Sequence, residues 1–181
     1  MEIYVDYAHR ADELRALPVE DLVRFVLEAE EMPESTEVSV SFVTDEAIAA
    51  LNEEFRGKAG PTDVLSFECD GADDAFDEAL LPPDGATGAA CDELPFELGD
   101  VVIAPDVARR QTDLYGTTFE GEVTLLLVHG LLHLAGFDHI ADDEAEEMEA
   151  REREILGLWA DAGHEGVRHV RDDTIRARGE H

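Results

Sequence analysis

The sequence predicts an α/β protein, a small mixed sheet of about four strands packed with about five helices. Two segments alternate with period two: Glu2 to Tyr7, and Glu37 to Thr44 with Val38, Val40 and Phe42 on one face. Other segments repeat with a helical period, as in Pro18 to Glu30, where Leu22, Val23, Val26 and Leu27 fall on one side. Glycine and proline punctuate the boundaries between the two kinds of segment.

Taken in order, Glu2 to Tyr7 is the first strand, and Pro18 suits the start of the first helix because its missing N–H costs nothing there. Glu37 to Thr44 is the second strand. Thr44 can cap the helix Asp45 to Phe55, which Gly57 and Gly60-Pro61 end. Asp63 to Phe67 reads as a third strand. Cys69 to Glu97 holds three glycines and three prolines, and its charged residues are all acidic. It is expected as an exposed excursion between two strands, with room for a short helix at Phe76 to Leu80. Leu98 to Ala104 returns to strand. Pro105 to Tyr115 is a helix stopped by Gly116. Phe119 to Leu134 is a helix with an apolar core face. Asp142 to Leu158 is an acidic amphipathic helix whose apolar stripe runs through Ala145, Met148, Ile155 and Leu158. Residues 1–160 are thus expected as one domain, and 161–181 as a polar, fraying tail in which His164, His169 and His181 have no ligand-like spacing.

A chain of 181 residues, 44% hydrophobic, can bury one core. Its net charge is −32, from 45 acidic and 13 basic residues, and Lys58 is its one lysine. Such a surface repels phosphate backbones at low salt. The same acidity fits a salty cytoplasm, where screening shortens the range of every charge. Charge therefore does not decide the ligand. Met1 to Asp6 has no basic stretch before an apolar run, so no secretory leader is expected. The apolar run Val123 to Val128 is too short to span a bilayer. The expected compartment is the cytoplasm, and Cys69 and Cys91, which form no C-x-x-C pair, are expected as thiols.

The chemistry concentrates in His129-Gly130-Leu131-Leu132-His133-Leu134-Ala135-Gly136-Phe137-Asp138-His139. His129 and His133 share one face of a helix. Gly136 lets the chain turn so that His139 can approach from the side. Three neutral nitrogens with an open fourth position make a catalytic zinc site, one ion per chain. The glycine at +7 and histidine at +10 match a metallopeptidase spacing, but such an enzyme needs glutamate beside the first histidine, and Gly130 stands there. The bland alternative is unrelated histidines on a buried helix. Arg56 and Lys58 are the only basic residues between Arg24 and Arg109. They can answer a helix C-terminal dipole or contact a phosphate beside the metal, and residue chemistry allows both. Asp63 can orient an arginine or a histidine, or cap a turn. Ser66 lies near it in a run of small polar residues, Asp138 can hydrogen-bond the ligand loop, and at least one of Arg109 and Arg110 is expected at the surface.

The metal segment resembles the signature H-G-x-L-H-L-x-G-x-D-H of the YbeY family throughout. Leu51 to Lys58, followed by Pro61 to Phe67, resembles the family's second block, and Leu98 to Ala104 its third. The resemblance runs from about Glu2 to Leu158, apart from the acidic excursion. It implies an α/β fold with a zincin-like metal helix, zinc on His129, His133 and His139, and activity that depends on Arg56 and His129. Asp63 and Ser66 would line or brace the cleft. It also implies a single-strand-specific endoribonuclease of small-subunit (16S) ribosomal RNA 3′-end maturation and ribosome quality control, with the small subunit and its assembly factors as partners. Three departures stand out: Ala59 where many members carry Asp, the long excursion, and the arginine-bearing tail. A metallopeptidase or another hydrolase would share the cage. So would an assembly factor with a structural zinc and weak catalysis. The residues do not choose between attack by metal-activated water and attack by the RNA 2′-hydroxyl.

Overall fold

A computed structural model describes residues 1–69, 95–137, 142–164 and 167. Along these residues run β1 (Glu2–Tyr7), α1 (Ala11–Arg15), α2 (Val19–Ala29), β2 (Thr36–Phe42), α3 (Asp45–Arg56), β3 (Val64–Glu68), β4 (Phe96–Ile103), α4 (Pro105–Tyr115), α5 (Phe119–Leu134) and α6 (Asp142–Asp161). The four strands form one mixed sheet in the order β1-β2-β4-β3. β1, β2 and β4 are parallel, and β3 runs antiparallel to β4 at the edge.

Helix α5 is the centre of the molecule. Its residues from Gly121 to Val128, and Gly130, Leu131, Leu132 and Leu134, are buried, while His129 and His133 are only partly so. A helix apolar on all sides must be surrounded. The sheet covers it through Val101 and Ile103, α2 through Val23 and Val26, and α6 adds Ile155 and Trp159 to the same core. On the opposite face of the sheet Ile48 of α3 meets Leu65, Val102 and Ala104, a second cluster over β3 and β4. Strand alternation sets this division: Val64 and Val101 point to the α5 side, Leu65 and Val102 to the α3 side.

Several boundaries follow capping chemistry. The Thr44 hydroxyl accepts from the Ala47 amide at 3.3 Å, so Thr44 is the N-cap of α3, not the end of β2. Helix α1 was not expected; it has five residues and follows Arg10, which has φ 53°. Arg10 and His9 both bind the Asp106 carboxylate at the start of α4, which fixes that entry. Burial pushes the Asp106 carboxyl up, but bonds from Arg10 and His9 outweigh it and hold the group below its ordinary value. Strand β4 begins at Phe96, so the acidic segment is shorter at this end than expected. The Cys69 amide donates to Leu98 O at 3.5 Å, and residues 70–94, with Cys91 and the expected short helix, lie outside the described residues.

Two expectations about the C-terminal region need correcting. The apolar stripe of α6 runs through Met148, Ile155 and Trp159, and Leu158 is exposed. The helix continues to Asp161, His164 stacks on Trp159 at 3.7 Å between ring centroids, and Val167 is buried in the core, so these two residues beyond 160 pack on the domain. No described helix is long and apolar enough to cross a membrane.

Register in β4 depends on one glycine. Val38 pairs with Gly99 and Glu37 with Glu97, which leaves Leu98 as the extra residue of a bulge. Gly99 has φ 141°, and a Cβ there would run into the carbonyl oxygen of Phe67 on β3. Gly99→Ala is therefore expected to destabilise the fold by about 2–3 kcal/mol or more. Urea unfolding, read as a lowered midpoint against the parent, measures it.

Candidate functional site

Helix periodicity puts His129 and His133 on the one margin of α5 that reaches solvent. Their Nε2 atoms lie 3.2 Å apart, and the rings meet edge to face with centroids 4.7 Å apart. At that distance two nitrogens can share a proton or share a metal. Two ligands at about 2.0–2.1 Å on a tetrahedral zinc sit about 3.3 Å apart, close to the separation of this pair. The third expected ligand, His139, and Asp138 lie outside the described residues. Among the described residues no group of three metal-capable side chains is assembled.

Glu152 completes the geometry, and reading the sequence missed it. Its Oε1 lies 2.5 Å from His129 Nδ1, and the side chain is 2% exposed. A carboxylate has only acceptors, so Nδ1 is the nitrogen that donates to Glu152, and Nε2 is the one that faces His133. This is the arrangement in which an acidic partner fixes tautomer and ring orientation of a metal-ligating histidine. Glu152 stands in the run Glu144 to Glu154, dense in carboxylates, where no single glutamate announces itself. The legible signal was its phase: Met148, Glu152, Ile155 and Trp159 follow one another at helical spacing, and the three others are buried hydrophobics.

The neighbours of the histidines are braces. Ser66 on β3 donates its hydroxyl to the Gly130 carbonyl at 3.1 Å, tying the edge strand to α5 beside His129. Gly130 faces the sheet: a Cβ there would lie 2.7 Å from Val101 Cγ1 and 3.2 Å from Ser66 Oγ. A glutamate at this position would be driven into the sheet, so the peptidase base is excluded by packing as well as by sequence. Asp63 accepts from the Val64 amide at 2.8 Å and from Gln111 Nε2 at 3.2 Å, joining the start of β3 to α4. Arg56 is the last residue of α3 and is exposed. Helices α3 and α5 cover opposite faces of the sheet, and Arg56 ends α3 next to Phe55, whose ring meets Phe67 of edge strand β3.

The comparisons with known proteins agree in one direction. The family model described as Endoribonuclease YbeY matches residues 6–160. A Geobacillus kaustophilus protein named endoribonuclease YbeY is 38% identical over 162 residues, covering 88% of this chain and 97% of its own. Its Bacillus subtilis namesake is 38% identical over 155 residues, covering 86% and 92%. The solution structure of TM1509 from Thermotoga maritima superposes with a TM-score of 0.52 at 22% identity, covering 93% of this chain and 99% of that one, which shows a common fold.

The close approach at Gly130 carries its own test. Val101 is fully buried and cannot swing away, so Gly130→Ala is expected to cost about 1–3 kcal/mol through overpacking. Chemical denaturation that leaves the midpoint unchanged would show that α5 can lift off the sheet.

Proposed function

The chain belongs to the endoribonuclease YbeY family, and from that premise we propose that it is a zinc-dependent endoribonuclease specific for single-stranded RNA. Its role in this reading is 3′-end maturation of small-subunit (16S) ribosomal RNA and ribosome quality control, with the small subunit and its assembly factors as partners. The observation that carries the reading is the convergence of His129 and His133 Nε2 at 3.2 Å with Glu152 behind His129. His129, His133 and His139 would hold one zinc ion. When bound, zinc supplies Lewis-acid polarisation of a phosphoryl group and activation of water near neutral pH.

The protein's own groups do the rest. Glu152 keeps the His129 ring turned and its tautomer fixed. Arg56 offers a planar fork of donors for phosphate oxygens and acts by stabilising charge that grows in the transition state. Gly130 places no acid or base beside the first histidine, so the nucleophile's proton has no glutamate to take it there. The end groups decide the nucleophile: a 2′,3′-cyclic phosphate product identifies the RNA 2′-hydroxyl, and a 3′-hydroxyl with a 5′-phosphate identifies water.

That α3, which ends in Arg56, packs on the sheet face opposite the histidine helix favours a second reading, an assembly factor whose zinc is structural and whose catalysis is weak. One variant separates the two. In the ribonuclease reading, Arg56→Ala lowers kcat/KM about 10²–10³-fold and leaves zinc content unchanged. In the assembly reading, function in living cells survives that change.

The direct test is cleavage of a labelled single-stranded RNA across a salt series, with a chelator and His129→Ala as controls. Cleavage lost in both controls supports the metal-dependent ribonuclease; no cleavage at any salt by zinc-replete protein overturns it. Glu152→Ala is expected to weaken zinc binding about 10–100-fold, measured by competition with a chromophoric chelator. Unchanged affinity would reduce Glu152 to a packing role.

A further inference from the structure

We propose that Phe55 and Phe67 form a platform on which one base of a single-stranded RNA stacks, with Arg56 and Lys58 on the adjoining phosphates. The proposal rests on the ribonuclease reading and adds where the strand lies: over edge strand β3, with the platform on one side and the histidines on the other.

Phe55 is 60% exposed at the last turn of α3. Its ring meets Phe67 edge to face, centroids 5.0 Å apart at 65°. Phe67 follows Ser66 on β3, and Ser66 is bonded to the backbone next to His129. Among the described residues five large hydrophobic side chains are exposed, and of these Phe55 alone combines an aromatic partner with flanking cations. Tyr4 instead bonds a carboxylate, Glu2. The turn that carries the cations is held in place. Asn52, 5% exposed, donates its Nδ2 to Gly60 O at 3.0 Å, and its own carbonyl accepts from Lys58 N at 3.3 Å. Among the described residues Arg56 and Lys58 form no ion pair, as is also true of Arg15, which lies over the Tyr7 ring, and Arg24, whereas Arg10, Arg109, Arg110, Arg151 and Arg153 do.

An exposed ring beside two exposed cations is the chemistry that holds single-stranded nucleic acid: stacking is available from any base, and the cations take the backbone. A duplex, whose bases are already stacked, cannot use the ring. The platform therefore selects single strands without reading sequence.

The test is binding of zinc-replete protein to a labelled 2′-O-methyl oligoribonucleotide, confirmed intact by gel afterwards. Phe55→Ala and Phe55→Leu are expected to weaken binding about tenfold, and Phe55→Tyr to retain it. An abasic nucleotide is then walked along the strand. At one position it should cost the parent about what Phe55→Ala costs and cost Phe55→Ala nothing further, a non-additive pair. Binding by Phe55→Ala within twofold of the parent, restoration by leucine, or additivity at every position overturns the platform while RNA cleavage by the parent stands. A parent protein that neither binds nor cuts single-stranded RNA at any salt overturns both readings.

Discussion

Helix α5 lies against β3 and β4 at a distance that only glycine allows, and the rest of the site depends on that contact. Val101 and Ser66 occupy the space a side chain at residue 130 would need. The contact fixes the depth of α5 and turns its Gly130 face to the sheet. With Gly130 turned to the sheet, His129 and His133 fall on the margin beside the edge strand. The Ser66 hydroxyl, bonded to Gly130 O at 3.1 Å, then ties strand to helix where the two histidines emerge. The antiparallel addition of β3 to an otherwise parallel sheet leaves that edge open, since among the described residues no further strand pairs with it.

The second layer of constraint comes from α6. A carboxylate at 2% exposure must find a charged or hydrogen-bonding partner to offset its lost hydration. Glu152 has His129 Nδ1 at 2.5 Å. The adjacent Arg151 bonds Glu30 at 2.6 Å and the Ala29 carbonyl at 2.9 Å, so consecutive residues of α6 are pinned to α5 and to the end of α2. Bonds to Glu30 and Glu154 hold the Arg151 guanidinium above its ordinary pKa, against the opposing effect of burial. The orientation of His129 and the docking of α6 are therefore one structural fact. Any change that tilts α6 turns the imidazole, and any loss of the imidazole leaves a buried charge without its partner.

Much of this was legible in the sequence, for identifiable reasons. Period-two alternation located β1 and β2 and a helical period located α2, since burial imposes those periods, while β3, β4, α3 and α4 were placed by the glycine, proline and capping residues at their boundaries. The i, i+4 histidine pair was legible because helical geometry alone brings it together, and its two nitrogens do converge. Helix α1 was not, because five residues give no period and its entry depends on a left-handed Arg10 bound to an aspartate far along the chain. Glu152 was hidden by its neighbours' charge, although its phase on the apolar stripe was readable. Leu158 misled for the opposite reason: it is apolar and one residue off the stripe. The side of the sheet on which Arg56 lies could not be read at all, since it follows from strand order and from which face each helix covers.

The net charge of −32 and an RNA substrate look incompatible only when all charges are given the same range. Repulsion between the acidic surface and a phosphate backbone acts over the screening length, about 8 Å at physiological salt and about 3 Å at 1 M. Stacking on an aromatic ring carries no net charge, and a guanidinium touching a phosphate oxygen acts within contact distance. Salt therefore weakens the repulsive term first and most. Most RNA-binding proteins lose affinity as salt rises, because they release counterions from the backbone by neutralising many phosphates. A chain that meets the backbone with two exposed cations, Arg56 and Lys58, and holds a base on Phe55 has few counterions to release and a large repulsion to screen. Its affinity for RNA should then fall little with salt, or rise. On this argument the acidity sets the conditions under which the site works, and the chemistry of the site lies in the few residues around edge strand β3.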